Sequence, residues 1–328
     1  MKAVVQDRYG GADVLALRDI EEPVPADDEV LIRVRAAGVD PGAWHLMTGR
    51  PYLVRLGFGL RAPKVKVRGR DVSGTVQTVG QGVTRFKPGD DVYGTVEGSF
   101  AELACASETR FARKPGGLTF EQAAAVPISG MTALVAVRDR GRVQTGQHVL
   151  IVGAGGGVGS FAVQLAKAVG AHVIGVCSSS KVELVRSIGA DDVIDYTRED
   201  FADGTRQFDV IIDTAGRRPL PLVRRALAGD GVLVIVGGEG GGRWLGGFQR
   251  QLGAPFRSIG RKQKLIGLMY RETQDLLVTL TELIEAGKVA PVIDRTYPLD
   301  EAADAIRYLE LGHVAGKVVV TVPEVAQD

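Results

Sequence analysis

Along the first hundred residues, apolar side chains recur at every second position in short runs. Val30, Ile32 and Val34 alternate with Leu31, Arg33 and Arg35, and Val72, Gly74 and Val76 repeat the pattern before a turn at Gly80-Gln81-Gly82. A period of two predicts strands with one buried face. Lys87-Pro88-Gly89-Asp90 supplies a second turn that closes onto Val92-Tyr93. Residues 1 to about 110 therefore predict a compact, mostly antiparallel β-domain with bent strands.

The pattern changes near Thr119. Thr119 and Gln122 form a capping-box start for a short helix that Pro127 ends. Beyond it, apolar strands alternate with helical spacing. His148 to Val152 reads as a strand, and Val158, Ala162, Leu165 and Val169 mark a helix. His172 to Cys177 is the next strand, followed by a helix around Val182 to Ile188. Further strands are expected at Asp192–Ile194, Phe208–Ile212 and Val232–Val236. Such alternation predicts a parallel sheet with right-handed crossovers. Strands apolar on both faces fit it.

From Gly237 to Gly247 there are seven glycines in eleven residues, which reads as a mobile loop. Loop 239–256 carries Trp244, Phe248 and Phe256 among Arg243 and Arg250. It is either a solvated connector or a lid over a flat apolar ligand. A strand at Leu265–Leu268, an amphipathic helix carrying Leu276, Leu277, Leu280, Leu283 and Ile284, a helix at Leu299–Leu311 and a strand at Lys317–Val322 complete the chain.

Composition narrows the class. The 328 residues hold 40 basic and 39 acidic side chains, and the net charge of +1 lacks the footprint of a nucleic-acid binder. Cys105 and Cys177 are the only cysteines, too few for a disulfide framework, and read as reduced thiols. No apolar stretch approaches the ~20 residues of a membrane span, and MKAVVQ runs into a strand-like pattern without a signal peptide's apolar stretch. A cytoplasmic protein is expected, with no membrane insertion.

The sharpest local signal is HVLIVGAGGGVGSFAVQLAK, residues 148–167. A strand enters a glycine cluster that opens a helix, as a dinucleotide-binding turn requires. Ala154 stands at the first glycine position of the six-residue fingerprint. Gly156 lets the backbone approach a pyrophosphate, with Gly157 and Val158 beside it, and Gly159 lets the helix pack on the strand. The alternative is a tight strand-to-helix turn without a ligand. At the end of the next strand an NAD site would carry an acid. This chain has Cys177-Ser178-Ser179-Ser180-Lys181 instead. Hydroxyls and an ammonium suit a 2′-phosphate and leave no acid to repel it. Two charge-assisted bonds of ~1.5–3 kcal/mol each would favour NADPH over NADH by about 10²–10⁴-fold. The serines can equally cap the following helix, and both roles can coexist. NADP(H) is the expected cofactor.

Several motifs in order resemble the medium-chain dehydrogenase/reductase superfamily, and most closely its zinc-free quinone oxidoreductase branch, the zeta-crystallin-like enzymes. AAGVDPGAWHLMTG (36–49), RGRDVSGTVQTVG (68–80), AAAVPISGMTAL (123–134), IGADDVIDY (188–196) and GHVAGKVVV (312–320) carry the likeness over essentially the whole chain. The resemblance implies an α/β protein: a GroES-like catalytic domain from 1–127 and 270–328, and a Rossmann domain from 128–269. It implies a homodimer paired near Leu265–Leu268. It places Lys181 and Tyr196 near the adenosine phosphate, Thr132 on the pyrophosphate or nicotinamide side, and Gly237 and Gly238 at the nicotinamide ribose. Ser178, Ser179, Thr214 and Lys317 complete the cofactor candidates.

Where zinc enzymes of the superfamily carry Cys and His ligands, this chain has Asp40 and Arg70. Arginine cannot ligate a cation, and two cysteines cannot build a four-Cys structural site. No metal is expected. Asp40 precedes Pro41 as a helix cap does, while the matching residue in the quinone reductases is an Asn facing the nicotinamide. His45 stands where those enzymes often carry a substrate-pocket Tyr. It is a candidate proton donor or an ordinary satisfied histidine. His148, on a buried strand, and His172 look structural. The expected reaction is hydride transfer from NADPH to a small hydrophobic electrophile, a quinone or an α,β-unsaturated carbonyl. The alternatives are an NADP-dependent alcohol or aldehyde oxidoreductase and a catalytically silent NADPH-binding protein.

Overall fold

The structure is a computed structural model that describes residues 1–238, 242, 244–254 and 262–323. In chain order it runs β1 (Lys2–Val5), β2 (Ala16–Asp19), β3 (Glu29–Val39), α1 (Pro41–Thr48), α2 (Arg55–Phe58) and β4 (Asp71–Val79). Next come β5 (Asp91–Thr95), β6 (Leu103–Ser107), β7 (Phe111–Arg113), α3 (Phe120–Ala124) and α4 (Pro127–Leu134). The middle section holds β8 (His148–Val152), α5 (Gly157–Val169), β9 (His172–Cys177), α6 (Val182–Ser187), β10 (Asp192–Asp195) and β11 (Phe208–Asp213). It continues with α7 (Leu220–Val223), β12 (Leu227–Ile235), α8 (Phe248–Gly253) and β13 (Lys264–Gly267). The chain ends with α9 (Gln274–Glu285), β14 (Ile293–Pro298), α10 (Ala302–Glu310) and β15 (Lys317–Thr321).

Two compact units result. One comprises Met1–Met131, Glu272–Ala286 and Pro291–Asp328; the other comprises Thr132–Arg271 and Gly287–Ala290. The edges differ from those drawn on the sequence. Ile128 stays with the β-rich unit because its N–H donates to Asp71 at 2.8 Å. Gly287–Ala290 joins the other because Gln164 on α5 holds the Ala290 amide and carbonyl at 2.8 and 2.9 Å.

The β-rich unit is built on a sheet of order β14-β15-β3-β4-β5-β7, with β6 also pairing β3. Its pairings are antiparallel except β14 with β15. β3 breaks register against β4 twice, between Leu31 and Ile32 and between Val34 and Ala36. Such bulges bend a strand and raise its twist, and from Ala36 to Val39 every residue is buried. The core gathers Ile32, Val72, Phe100, Phe111 and Val318, each wholly buried.

The second unit is a six-stranded parallel sheet of order β10-β9-β8-β11-β12-β13. β8 is first in sequence yet central in space, so the strand order reverses between β8 and β11, where such sheets bind ligands. Leu150, Ile211 and Leu233 fill its core. The expected elements are present, most with shifts of a residue or so at their ends, but β12 starts at Leu227, five residues earlier than expected, and Pro127 opens α4 where it was expected to end a helix. His148 is the exception to its expected setting. It is exposed at the start of β8, edge-on to the His172 ring at 5.0 Å between centroids. No helix among the described residues is long and apolar enough to cross a membrane.

Candidate active site

The carboxyl ends of the parallel strands carry the glycine-built turn. Gly153 adopts φ +86°, and the Gly153 and Ala154 amides both donate to Val176 O at 3.0 Å, which folds the turn back over β9. Gly156 caps α5 without any side-chain bond. The first-turn N–H groups of Gly157, Val158 and Gly159 therefore have no acceptor within the helix, and the positive end of a 13-residue helix opens there. A Cβ on Gly159 would stand 2.1 Å from Gly153 O, so only glycine lets the helix approach the strand. Gly156 is different: its nearest neighbour would be 3.4 Å away, which leaves the backbone face open toward a ligand. A dinucleotide pyrophosphate fits this cradle. The stem of Lys181 lies over Gly155, 2.8 Å from where its Cβ would be.

The end of β9 requires a correction. Ser178, Ser179 and Lys181 lie together on a tight turn, with Ser179–Lys181 forming a 3₁₀ segment. An acid adjoins it nonetheless. Asp195 ends β10 in register with Cys177 and accepts the Ser179 hydroxyl at 2.5 Å. The bond from Ser179, followed by those from the Thr197 amide and hydroxyl, holds the Asp195 carboxyl below its ordinary range. Strand pairing brings this acid in from the third strand, where a search confined to the end of the second misses it. Tyr196 follows, half exposed, with its amide on Cys177 O. Burial pushes the Cys177 thiol up to about 11, so it is inert near neutral pH.

Thr214 directly follows β11 at its carboxyl end, and Thr132 lies on α4. The Thr132 hydroxyl meets the Tyr270 hydroxyl at 2.9 Å, a partner that sequence reading missed. Thr214 donates its proton to Val152 O at 2.8 Å and can only accept from a ligand. Gly237 packs against the backbone beside it, since its Cβ would fall 1.9 Å from Thr214 O. Gly238 lies against Gly247 in the same way. Arg250 on α8 docks on the strand ends, donating to Asp213 Oδ2 at 2.7 Å and to the Gly216 carbonyl. Burial pushes the Asp213 carboxyl up, against the Gly216 amide and Arg250. Of the expected lid, Trp244 is 73% exposed, whereas Arg243, Phe256 and the Phe248 side chain lie outside the described residues.

In the β-rich unit, Asp40 is buried and caps α1. Its Oδ1 accepts from the Gly42 and Ala43 amides at 2.6 and 3.2 Å, while Oδ2 has no hydrogen-bond partner. His45 lies on α1 with Nδ1 2.7 Å from Arg50 O. A carbonyl only accepts, so Nδ1 carries the proton and Nε2 is the atom available for proton exchange. Arg70 donates to Glu272 at 2.8 Å, and Glu272 also accepts from Arg110 and Thr95 at 3.0 Å each. Burial opposes the Arg70 charge, but Glu272, Asp40 and Glu97 outweigh it and raise its pKa. Among the described residues, no three His, Cys, Asp or Glu side chains converge as metal ligands.

Lys317 leaves the cofactor set. It is 3% exposed and donates to Asp71, itself 0% exposed, at 2.8 Å. The register explains the pair: Asp71 stands opposite Gly38, and Val318, next to Lys317, stands opposite Val39, so both flank the end of β3. An ammonium this buried and paired with Asp71 is not set out toward a nucleotide. The same unit contains a cavity of about 230 Å³ lined by Ala43, Leu46, Phe58, Pro63, Val65 and Val67, with Arg68 and Glu97 at its polar side.

Residues 26–135 match the alcohol dehydrogenase GroES-like domain, and residues 188–320 match a family described as zinc-binding dehydrogenase. A chloroplastic NADPH-dependent alkenal/one oxidoreductase of Arabidopsis thaliana is 36% identical over 98% of this chain and 79% of its own length. The quinone oxidoreductase of Coxiella burnetii superposes with a TM-score of 0.85 at 31% identity, over 98% of this chain and 99% of that one. The chain belongs to the medium-chain dehydrogenase/reductase superfamily, in its quinone oxidoreductase branch. A further structure of this superfamily, the Escherichia coli quinone oxidoreductase complexed with NADPH, superposes at 0.84 with 25% identity over 98% of this chain and 100% of that one. The two folds expected from the sequence, GroES-like and Rossmann, are those of the superfamily. The chain is accordingly an oxidoreductase that uses a nicotinamide cofactor. Glu272 and Asp71, the acids that fix Arg70 and Lys317, left no local signal in the sequence.

Proposed function

We propose that the enzyme reduces a quinone or an α,β-unsaturated carbonyl with NADPH and without zinc. When bound, the cofactor supplies the hydride. The amides of Gly157 to Gly159 hold the pyrophosphate at the start of α5. Ser178, Ser180 and Lys181 take the 2′-phosphate. Thr132, Thr214, Gly237 and Gly238 fit the nicotinamide side, where only the smallest residues allow the backbone approach seen at Gly237.

The observation that carries the zinc-free reading is the Arg70–Glu272 pair. A guanidinium fixed by a carboxylate occupies the position that the family resemblance matches to a zinc ligand, and it cannot bind a cation. Carbonyl polarisation then falls to hydrogen bonding, from Nε2–H of the imidazolium form of His45 or from solvent. A positioned acid contributes only ~10²–10⁴-fold, so the acceptor must itself be electrophilic. The relatives named for alkenals and quinones support that class, and the apolar cavity of the β-rich unit suits a small hydrophobic molecule. Among the described residues β13 is the last strand of the parallel sheet, and this edge position supports a homodimer formed through it.

Cofactor consumption over a panel of quinones, enones, aldehydes and alcohols tests this reading. Turnover with quinones or enones and none with simple alcohols is expected. Turnover confined to alcohol–aldehyde pairs would make it an alcohol oxidoreductase, and saturable NADPH binding without turnover would make it a silent binder.

A further inference from the structure

We propose that Asp195 limits discrimination between NADPH and NADH by holding the single hydroxyl proton of Ser179. The inference rests on Ser178–Lys181 being the 2′-phosphate end of the nucleotide site. Asp195 stands beside Cys177, the last residue of β9, and Ser179 lies two residues farther on. The Ser179 oxygen is 2.5 Å from Asp195 Oδ2. The other carboxylate oxygen accepts the Thr197 amide at 3.0 Å and the Thr197 hydroxyl at 2.7 Å.

An ionised carboxylate only accepts, and a serine has one proton to give. Ser179 therefore donates to Asp195 and shows a phosphate only lone pairs. Ser178 and Ser180, whose oxygens are 3.2 Å apart, share one proton between them and keep the other for a ligand. Arg198 lies 3.6 Å from Asp195 Oδ2 but is largely exposed, so water screens it and the acid keeps much of its field. A 2′-phosphate thus meets one donor fewer and one negative charge more than the string of serines promises. NADH has no phosphate and feels neither effect. The same acid also builds the turn that carries Tyr196, because the Arg198 and Glu199 amides close on its carbonyl at 3.0 and 2.9 Å. Asp195 is thus a positioning residue, acting on the cofactor through Ser179.

Asn at this position keeps an oxygen for Thr197 and turns its NH₂ toward Ser179. The serine oxygen then accepts and its proton is released toward the phosphate. NADPH and NADH dissociation constants should be measured by calorimetry on the full chain and on D195N, S179A, S179A/D195N and K181A. D195N should raise the NADPH preference about tenfold or more while NADH affinity stays within about threefold. S179A alone should leave the preference within about threefold, since its proton is already committed, and should remove most of the gain in the double variant. An unchanged preference in D195N with NADH binding intact would overturn the proposal. So would a tenfold loss in S179A alone, or a gain undiminished in S179A/D195N. Should D195N not fold, S179A decides. K181A separates the two levels: if it leaves NADPH binding untouched, the location of the phosphate site is wrong, whereas weaker NADPH binding in K181A with no change in D195N removes only the role of Asp195.

Discussion

Replacing Lys317 by Met leaves Asp71 buried beside Asp40 with the Ile128 amide as its remaining donor. Removing one partner of a buried pair costs about 3–5 kcal/mol, because a charge is stranded. The carboxyl can escape by taking up a proton. From its ordinary value of 3.8 that costs about 4 kcal/mol at pH 7, which sets a ceiling. The expected loss for Lys317→Met is therefore ~3–4 kcal/mol at pH 7. The sign of its pH dependence follows. Burial already pushes Asp71 up in the wild type, against the pull of Lys317, and without the ammonium it rises further. The folded variant then keeps a proton that the unfolded chain releases, so its stability falls as pH rises above the ordinary carboxyl range. On acidification from pH 7 the deficit should shrink by up to about 1.4 kcal/mol per unit, levelling off once the wild-type Asp71, itself pushed up to about 6, takes up the same proton. Urea unfolding followed by circular dichroism at pH 5, 6 and 7 measures this against the wild type, in which the other titrations cancel. Adding Asp71→Asn, which keeps an acceptor without the charge, should restore most of the loss. A deficit below about 1 kcal/mol at pH 7, or one that acidification does not reduce, would refute the reasoning.

His45→Ala should lower turnover roughly 10²-fold, with Michaelis constants little changed, and remove an alkaline limb of the rate profile; an unchanged profile leaves solvent as the donor. Asp40→Asn should fold and bind NADPH normally, because Asn caps α1 as Asp does, and a large rate loss with an intact fold would make Asp40 chemical. Elemental analysis of the purified protein should find no stoichiometric zinc, with activity retained in a chelator, and one tightly held zinc per chain would overturn the zinc-free reading. Light scattering should show a dimer at micromolar concentration; a stable monomer there would exclude pairing through β13.

The sequence by itself determined the order of strands and helices, the glycine turn at 153–159 and the start of α3 at Thr119. Each depends on neighbours a few residues apart: the alternation of apolar side chains, the need for a bare backbone at Gly159, the reciprocal bonds of Thr119 and Gln122. It also carried enough motifs in order to reveal the family. What the tertiary structure decided is which charges meet. Lys317 and Asp71 are 246 residues apart and Glu272 and Arg70 are 202 apart, and sheet register joins the first pair on either side of β3. Ser179 and Asp195 are separated by only 16 residues, yet it is the parallel pairing of β9 with β10 that sets the acid beside the serine. Register is chosen by burying whole apolar faces, so the polar residues that such pairing brings together leave no periodic trace. Lys317, read as a nucleotide ligand, is a buried counter-ion, and the serines read as free of acid have one, because both assignments depend on contacts between strands and not on any single strand.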